Sequence, residues 1–118
     1  MPFVRAGELT VHYDLAGPAG APTLLFSNSL GTNLHVWDAV VPALTDRYRV
    51  LRYDMRGHGM TDETPAGGGY SIDLLADDAL ALLDALGIGR VHLCGLSIGG
   101  RVAQKLGARA PDRVASLI

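Results

Sequence analysis

From Thr23 to Ile118 short apolar runs alternate with amphipathic helical stretches, and no other feature narrows the fold as much. Thr23-Leu-Leu-Phe-Ser27 is a nearly continuous apolar run, the pattern of a strand buried on both faces of a parallel sheet. Tyr48-Arg-Val-Leu-Arg-Tyr53 alternates as a strand does and ends at Asp54-Met-Arg-Gly57. Residues 71–86 predict a helix. Ser71 is a good N-cap, Asp73 sits in the first turn, and Ile72, Leu75, Ala76, Ala79, Leu82, Leu83 and Leu86 form one apolar face. Asp73, Asp77 and Asp84 fall largely opposite, and Gly87 can close the end. Val91-His-Leu-Cys94 reads as a further strand, and a second helix runs from the glycine-rich turn after it to about Ala110, where Pro111 stops it. Val114 to Ile118 reads as one more strand. This order predicts βαβ units, hence an α/β architecture with a mostly parallel sheet and helices on both faces.

The remaining segments fit around that frame. Leu9 to Leu15 is an early strand closed by Gly17-Pro-Ala-Gly20, and residues 28–33 form a loop. Val36, Trp37, Val40, Val41 and Leu44 have helical spacing, but Pro42 requires that helix to start late or break. Gly67-Gly68-Gly69 is expected to be the centre of a flexible loop. At 118 residues there is room for one core and no second one.

Composition excludes several function classes. Ten Lys and Arg against twelve Asp and Glu, with no basic block, give no footprint for nucleic acid or an anionic membrane. The single cysteine, Cys94, excludes an internal disulfide framework and a multi-cysteine zinc site. No apolar run approaches the ~18 residues that span a bilayer, and the N-terminus lacks a secretory pattern, so the cytoplasm is the expected location.

One motif carries chemistry. Gly95-x-Ser97-x-Gly99 stands between a predicted strand and a predicted helix, the context of a nucleophile elbow. A strand that reverses sharply into a helix crowds the backbone and strains the central residue. Gly95, Gly99 and Gly100 are expected to remove side chains that would collide there. The serine oxygen is then lifted clear of the sheet beside helix-end amides, which favour the negative charge that develops in acyl transfer.

Three stretches extend this pattern: residues 26–38 (FSNSLGTNLHVWD), residues 48–59 (YRVLRYDMRGHG) and residues 92–100 (HLCGLSIGG). Together they resemble the α/β-hydrolases, and most closely the 3-oxoadipate enol-lactonases of aromatic-compound breakdown. The first stretch is the more specific, because the wider superfamily usually has His-Gly where this chain has Asn28-Ser29. The resemblance implies serine-dependent opening of an enol-lactone ring with Ser97 as nucleophile, no metal and no organic cofactor. It implies an oxyanion hole of two backbone amides, those of Leu30 and Ile98. Ser29 and Trp37 are candidates for lining the substrate pocket. The expected substrate is a small lactone or ester. A broader carboxylesterase or a haloperoxidase-like hydrolase is the alternative activity.

The chain departs from that family in one respect. The triad order is serine, acid, histidine, yet only Asp112 and no histidine follow Ser97. The expectation is therefore an incomplete domain over residues 1–118, lacking cap, later strands, triad acid and base, and either an enzyme half or a non-catalytic remnant. His58 is expected in a turn beside the pocket, His12 at the surface and His92 in the core. Cys94 is expected to be an inert thiol, Asp54 and Arg56 to brace their turn, and Arg101, Lys105 and Arg109 to form a solvated face. The truncated sheet is expected to expose an apolar edge at Val91–Cys94, open to a complementing C-terminal fragment or to self-association.

Overall fold

The computed structural model describes residues 2–65 and 68–118. Six strands form one sheet: β1 (Phe3–Ala6), β2 (Leu9–Ala16), β3 (Thr23–Ser27), β4 (Arg49–Tyr53), β5 (Val91–Gly95) and β6 (Val114–Leu117). Their spatial order is β1-β2-β4-β3-β5-β6. The first two pairings, β1 with β2 and β2 with β4, are antiparallel, and the other three are parallel. Two α-helices follow β4 and β5 in the chain, α1 (Ile72–Ala85) and α2 (Ile98–Arg109).

Every residue of β3 is buried, as its apolar run predicts for the strand between two parallel neighbours. Alternation then sorts its side chains. Leu25, with Leu51, Tyr53, Val91 and Leu93, faces α1 and α2 and joins the main core. Leu24 and Phe26, with Val50, face the other way into a smaller core with Val41. That second face carries no α-helix among the described residues. Short 3-10 turns at Leu34–Trp37 and Val41–Ala43 cover it, which is how the break at Pro42 is resolved.

The caps of α1 follow its sequence. Ser71 Oγ accepts the Leu74 amide at 3.0 Å. At the other end Gly87 takes φ +68°. Ile88 N–H then reaches Leu83 O at 2.9 Å and Gly87 N–H reaches Asp84 O at 3.1 Å, a Schellman closure. Gly67 of the expected glycine-rich loop lies outside the described residues.

Two expectations are corrected here, and one strand is added. The strand β1 is an addition: Phe3–Ala6 pairs with β2 through a two-residue Gly7-Glu8 loop in which Gly7 has φ +61°. A glycine at the first central position of such a loop is the signal that reveals it. The free edge is not Val91–Cys94, because β6 pairs in parallel with β5 over Val91, His92 and Leu93. The free edge is β6 itself, where Leu117 and Ile118 are exposed. The stripe on α2 is not simply solvated. Lys105 pairs with Asp73 at 3.2 Å and Arg109 with Asp77 at 2.7 Å, so the positive face of α2 meets the acidic face of α1.

Candidate active site

The topology places a crevice before any side chain is considered. From β3 the chain passes to β4 on one side, then crosses to β5 on the other. The connection after β3 leads to the 3-10 turns on one face, whereas α2 packs on the opposite face. Ligands in open α/β sheets bind at such a switch point, outside the carboxyl ends of the strands. The two segments that leave the sheet there are residues 28–33 and the turn 95–98.

The turn after β5 has the geometry its glycines require. Ser97 has φ 59° and ψ −120° and is the only non-glycine residue with positive φ among the described residues. A backbone held in this region stores about 1–3 kcal/mol of strain. A Cβ on Gly95 would strike the backbone of Gly99 and Gly100, and one on Gly99 would strike Ser27 and Asn28. A Cβ on Gly100 would meet only Gly95 O at 3.5 Å, an ordinary contact, so Gly100 is not needed to relieve the turn. The close approach at Gly99 brings α2 against the start of the 28–33 loop. Leu96 N–H closes the same seam by donating to Ser27 O at 3.0 Å.

Ser97 occupies the N-cap position of α2 without capping it, and its backbone lies outside the β region that a capping residue takes. The side chain is exposed and is not spent on a backbone amide. The Ile98 amide, at the first position of α2, and the Leu30 amide donate to no acceptor among the described residues. Helix-end amides without an internal partner are ready donors to an anion.

The opposing loop is held from several directions. Asn28 is 0% exposed. Its Nδ2 donates to Tyr53 O at 2.8 Å, and its Oδ1 accepts Trp37 Nε1 at 2.5 Å. Trp37 stacks on Phe26 with centroids 4.5 Å apart, so it anchors the loop and packs. Ser29 is half-buried, and Leu30 is 69% exposed at the tip. Thr32 Oγ1 donates to Ser29 O at 2.7 Å. Gly31, with φ +77°, donates its amide to His58 Nε2 at 2.9 Å.

Asp54 organises the surroundings. Its Oδ1 accepts the Leu34 amide at 2.7 Å, and its Oδ2 accepts the Met60 amide at 3.0 Å and meets His12 Nδ1 at 2.8 Å. Arg56 is buried, grips Asp78 of α1 through two bonds of 2.8 and 2.7 Å, and reaches Glu8 at 2.9 Å. Hydrogen bonding to Asp78 raises the Arg56 pKa above its already high ordinary value. Both residues brace the turn as expected. Asp78 is not singled out in the sequence, where only Asp73, Asp77 and Asp84 mark the polar face of this helix.

Beneath the crevice, Ser27 Oγ and Tyr53 OH are buried side by side on paired strands without a well-formed partner. Burial pushes the Tyr53 phenol up to about 12, eased by the nearby Ser27 hydroxyl and reinforced by Asp78. Burial also pushes the Cys94 thiol up, which makes it a poorer nucleophile than a free cysteine.

Each of the four histidines has a partner other than Ser97. His12 is buried, not at the surface, and sits on β2, three strand spacings from β5. At about 4.8 Å per spacing that is roughly 14 Å. His92 is half-buried and bonds Ser116 Oγ of the edge strand at 2.7 Å, so it is not a core residue. His35 meets Asp38 at 3.1 Å on the surface. His58 has both ring nitrogens occupied, Nδ1 by Arg56 O at 3.0 Å and Nε2 by Gly31. Asp112 lies in an exposed 3-10 turn after α2.

Residues 22–118 match the α/β hydrolase fold family. The chain belongs to that family. It is 43% identical over 115 residues to 3-oxoadipate enol-lactonase 2 of Acinetobacter baylyi, covering 98% of this chain and 42% of that protein. The crystal structure of the enol-lactonase from Burkholderia xenovorans superposes with a TM-score of 0.92 at 42% identity, covering 98% of this chain and 45% of the other. A fluoroacetate dehalogenase from a Burkholderia species is 34% identical, over 98% of this chain and 38% of its own length. The chain thus spans about two fifths of the length of the curated relatives it matches, and within the hydrolases it is closely related to the enol-lactonases.

Proposed function

We propose that this chain is the nucleophile-bearing half of a serine hydrolase that opens an enol-lactone ring, with 3-oxoadipate enol-lactone as the substrate. Residues 1–118 form one incomplete domain, and it works in the cytoplasm. The observation that carries the reading is Ser97, held at positive φ with an uncommitted hydroxyl at the switch point of the sheet. The relatedness to enol-lactonases supports the substrate class.

The chemistry follows from the donors and from what is missing. A base supplied from outside these residues takes the Ser97 proton, and the oxygen attacks the lactone carbonyl. The amides of Leu30 and Ile98 hold the tetrahedral oxyanion. The enol oxygen leaves, takes the proton back and tautomerises to the ketone, and water then releases the acid from the acyl-enzyme. Ser29 and Trp37 line the substrate side of the loop. Without a base, serine is a weak nucleophile, and losing the histidine of such a triad costs on the order of a million-fold in turnover. The acid and base would come from a complementing C-terminal segment seated on the exposed edge at Leu117 and Ile118, an edge that a second copy of the chain could also occupy.

An enol-lactone and p-nitrophenyl ester assay tests this. The expected result is negligible turnover by residues 1–118 alone and recovery when the C-terminal part of an enol-lactonase is added. Turnover within tenfold of an intact enol-lactonase by the chain alone would sink the claim of incompleteness. A broader carboxylesterase or haloperoxidase-like activity is the second reading, its esterase part favoured by the likeness of this segment to a solved carboxylesterase at 30% identity. Recovered ester turnover with no lactone turnover would establish it.

A further inference from the structure

We infer that His58 is a positioning residue for the oxyanion loop: its Nε2 lone pair holds the Gly31 amide and so fixes how the Leu30 amide faces the crevice. This rests on the reading of Leu30 as an oxyanion donor.

The hydrogen-bond roles leave no choice of proton position. A backbone N–H only donates, so His58 Nε2 is the acceptor in its 2.9 Å bond with Gly31. A carbonyl only accepts, so His58 Nδ1 carries the proton in its 3.0 Å bond with Arg56 O. The ring is neutral, in the Nδ1–H form, with both nitrogens occupied.

The ring is mounted on a firm base. His58 N–H donates to Met55 O at 2.9 Å, Thr61 N–H donates to His58 O at 3.1 Å, and Gly57 N–H donates to Asp62 O at 2.9 Å. Asp54 ties the same turn through Met60. The loop opposite has little packing of its own: Leu30 is largely exposed, and nothing lies within 4 Å of where a Gly31 Cβ would be. Its tip is set by separate hydrogen bonds instead. The peptide plane that carries the Leu30 N–H also carries Ser29 O, which Thr32 Oγ1 pins at 2.7 Å. The next plane carries the Gly31 N–H, pinned by His58. Because peptide units are planar, these two bonds fix the planes on both sides of the Leu30 Cα. Removing the second frees one of them.

The test uses the 118-residue chain labelled with nitrogen-15. Long-range proton–nitrogen spectra are expected to show His58 as the Nδ1–H tautomer, with a scalar coupling across the bond from the Gly31 amide to Nε2. In His58→Phe the Leu30 amide order parameter is expected to fall from about 0.85 toward 0.6 or below, while amides of α1 stay unchanged. His58→Gln, which restores an acceptor, is expected to recover most of the order. An Nε2–H tautomer, a missing coupling, or equal Leu30 order in His58→Phe and the parent would overturn the proposal. The tautomer and coupling are read on the parent chain, so the proposal stands or falls even if a variant does not fold. Ser97→Ala is expected to leave all three signals unmoved, which separates this hydrogen bond from any failure of Ser97 as nucleophile.

Discussion

The two sides of the crevice are built by opposite means. The turn after β5 is shaped by steric exclusion: Gly95 and Gly99 let two pieces of backbone touch, and Ser97 is forced to positive φ between them. The loop after β3 is shaped by directed bonds from Asn28, Thr32, His58 and Asp54, with few close contacts at its tip. Such a site has one packed wall and one bonded wall. The packed wall carries Ser97, and the bonded wall carries the Leu30 amide.

The largest effects should come from the packed side. Gly99→Ala puts a Cβ into the backbone of Ser27 and Asn28, where no flexible side chain can give way. We expect a loss of about 3 kcal/mol in urea unfolding, the upper end of the usual ~1–3 kcal/mol cost of overpacking, because the atoms met are backbone. Gly100→Ala is the control one residue on. Its Cβ meets only an ordinary 3.5 Å contact, and alanine in a helix is favoured over glycine by up to about 1 kcal/mol. Equal destabilisation by the two variants would break the claim that steric exclusion shapes this wall.

The bonded side should lose less per residue, except at its hub. Asp54→Ala leaves the Leu34 and Met60 amides without an acceptor and strips His12 of its partner. Leaving buried donors unmade costs about 1–3 kcal/mol each before relaxation, and we expect about 3 kcal/mol in total. Asn28→Ala removes one bond to Tyr53 O and one from Trp37. About 2 kcal/mol is expected, together with a shift of the Trp37 fluorescence as its indole loses its partner. A loss under 0.5 kcal/mol with unshifted fluorescence would show that packing, not Asn28, holds this loop.

The same contrast explains what the sequence reveals. The elbow is legible because its cause is local: strand pattern, glycines and helix pattern lie within ten residues, and φ at Ser97 follows from them. The alternation of periods likewise yields β2 to β6 and both helices near their observed ends. The other wall is assembled from residues far apart in the chain. His58 meets Gly31 across 27 positions and Asp54 meets His12 across 42. Nothing near His12 in sequence announces a buried acid, so it reads as a surface histidine. Asp78 carries no local signal of its own, and its role shows only in the pairing with Arg56, 22 positions away. The sheet edge differs for a similar reason: Val114 to Ile118 reads as a strand, but only its long-range pairing with β5 puts it, rather than Val91–Cys94, at the edge.

The smallest effect offers the finest test of the packed wall. Ser97 holds φ 59° and ψ −120°, a region open to glycine and costly for any residue with a Cβ. Ser97→Gly should release that strain, worth about 1–3 kcal/mol. It also gives the unfolded chain more freedom, which takes back about 0.5–1 kcal/mol. The expected net is a gain of about 1 kcal/mol, read as a higher urea midpoint at unchanged slope. Ser97→Ala keeps the Cβ and should stay within about 0.5 kcal/mol of the parent, as exposed substitutions usually do. Both variants remove the hydroxyl, so their difference isolates the backbone. If Ser97→Gly is no more stable than Ser97→Ala, the turn stores no strain at its central residue, and the two walls differ less than their construction implies.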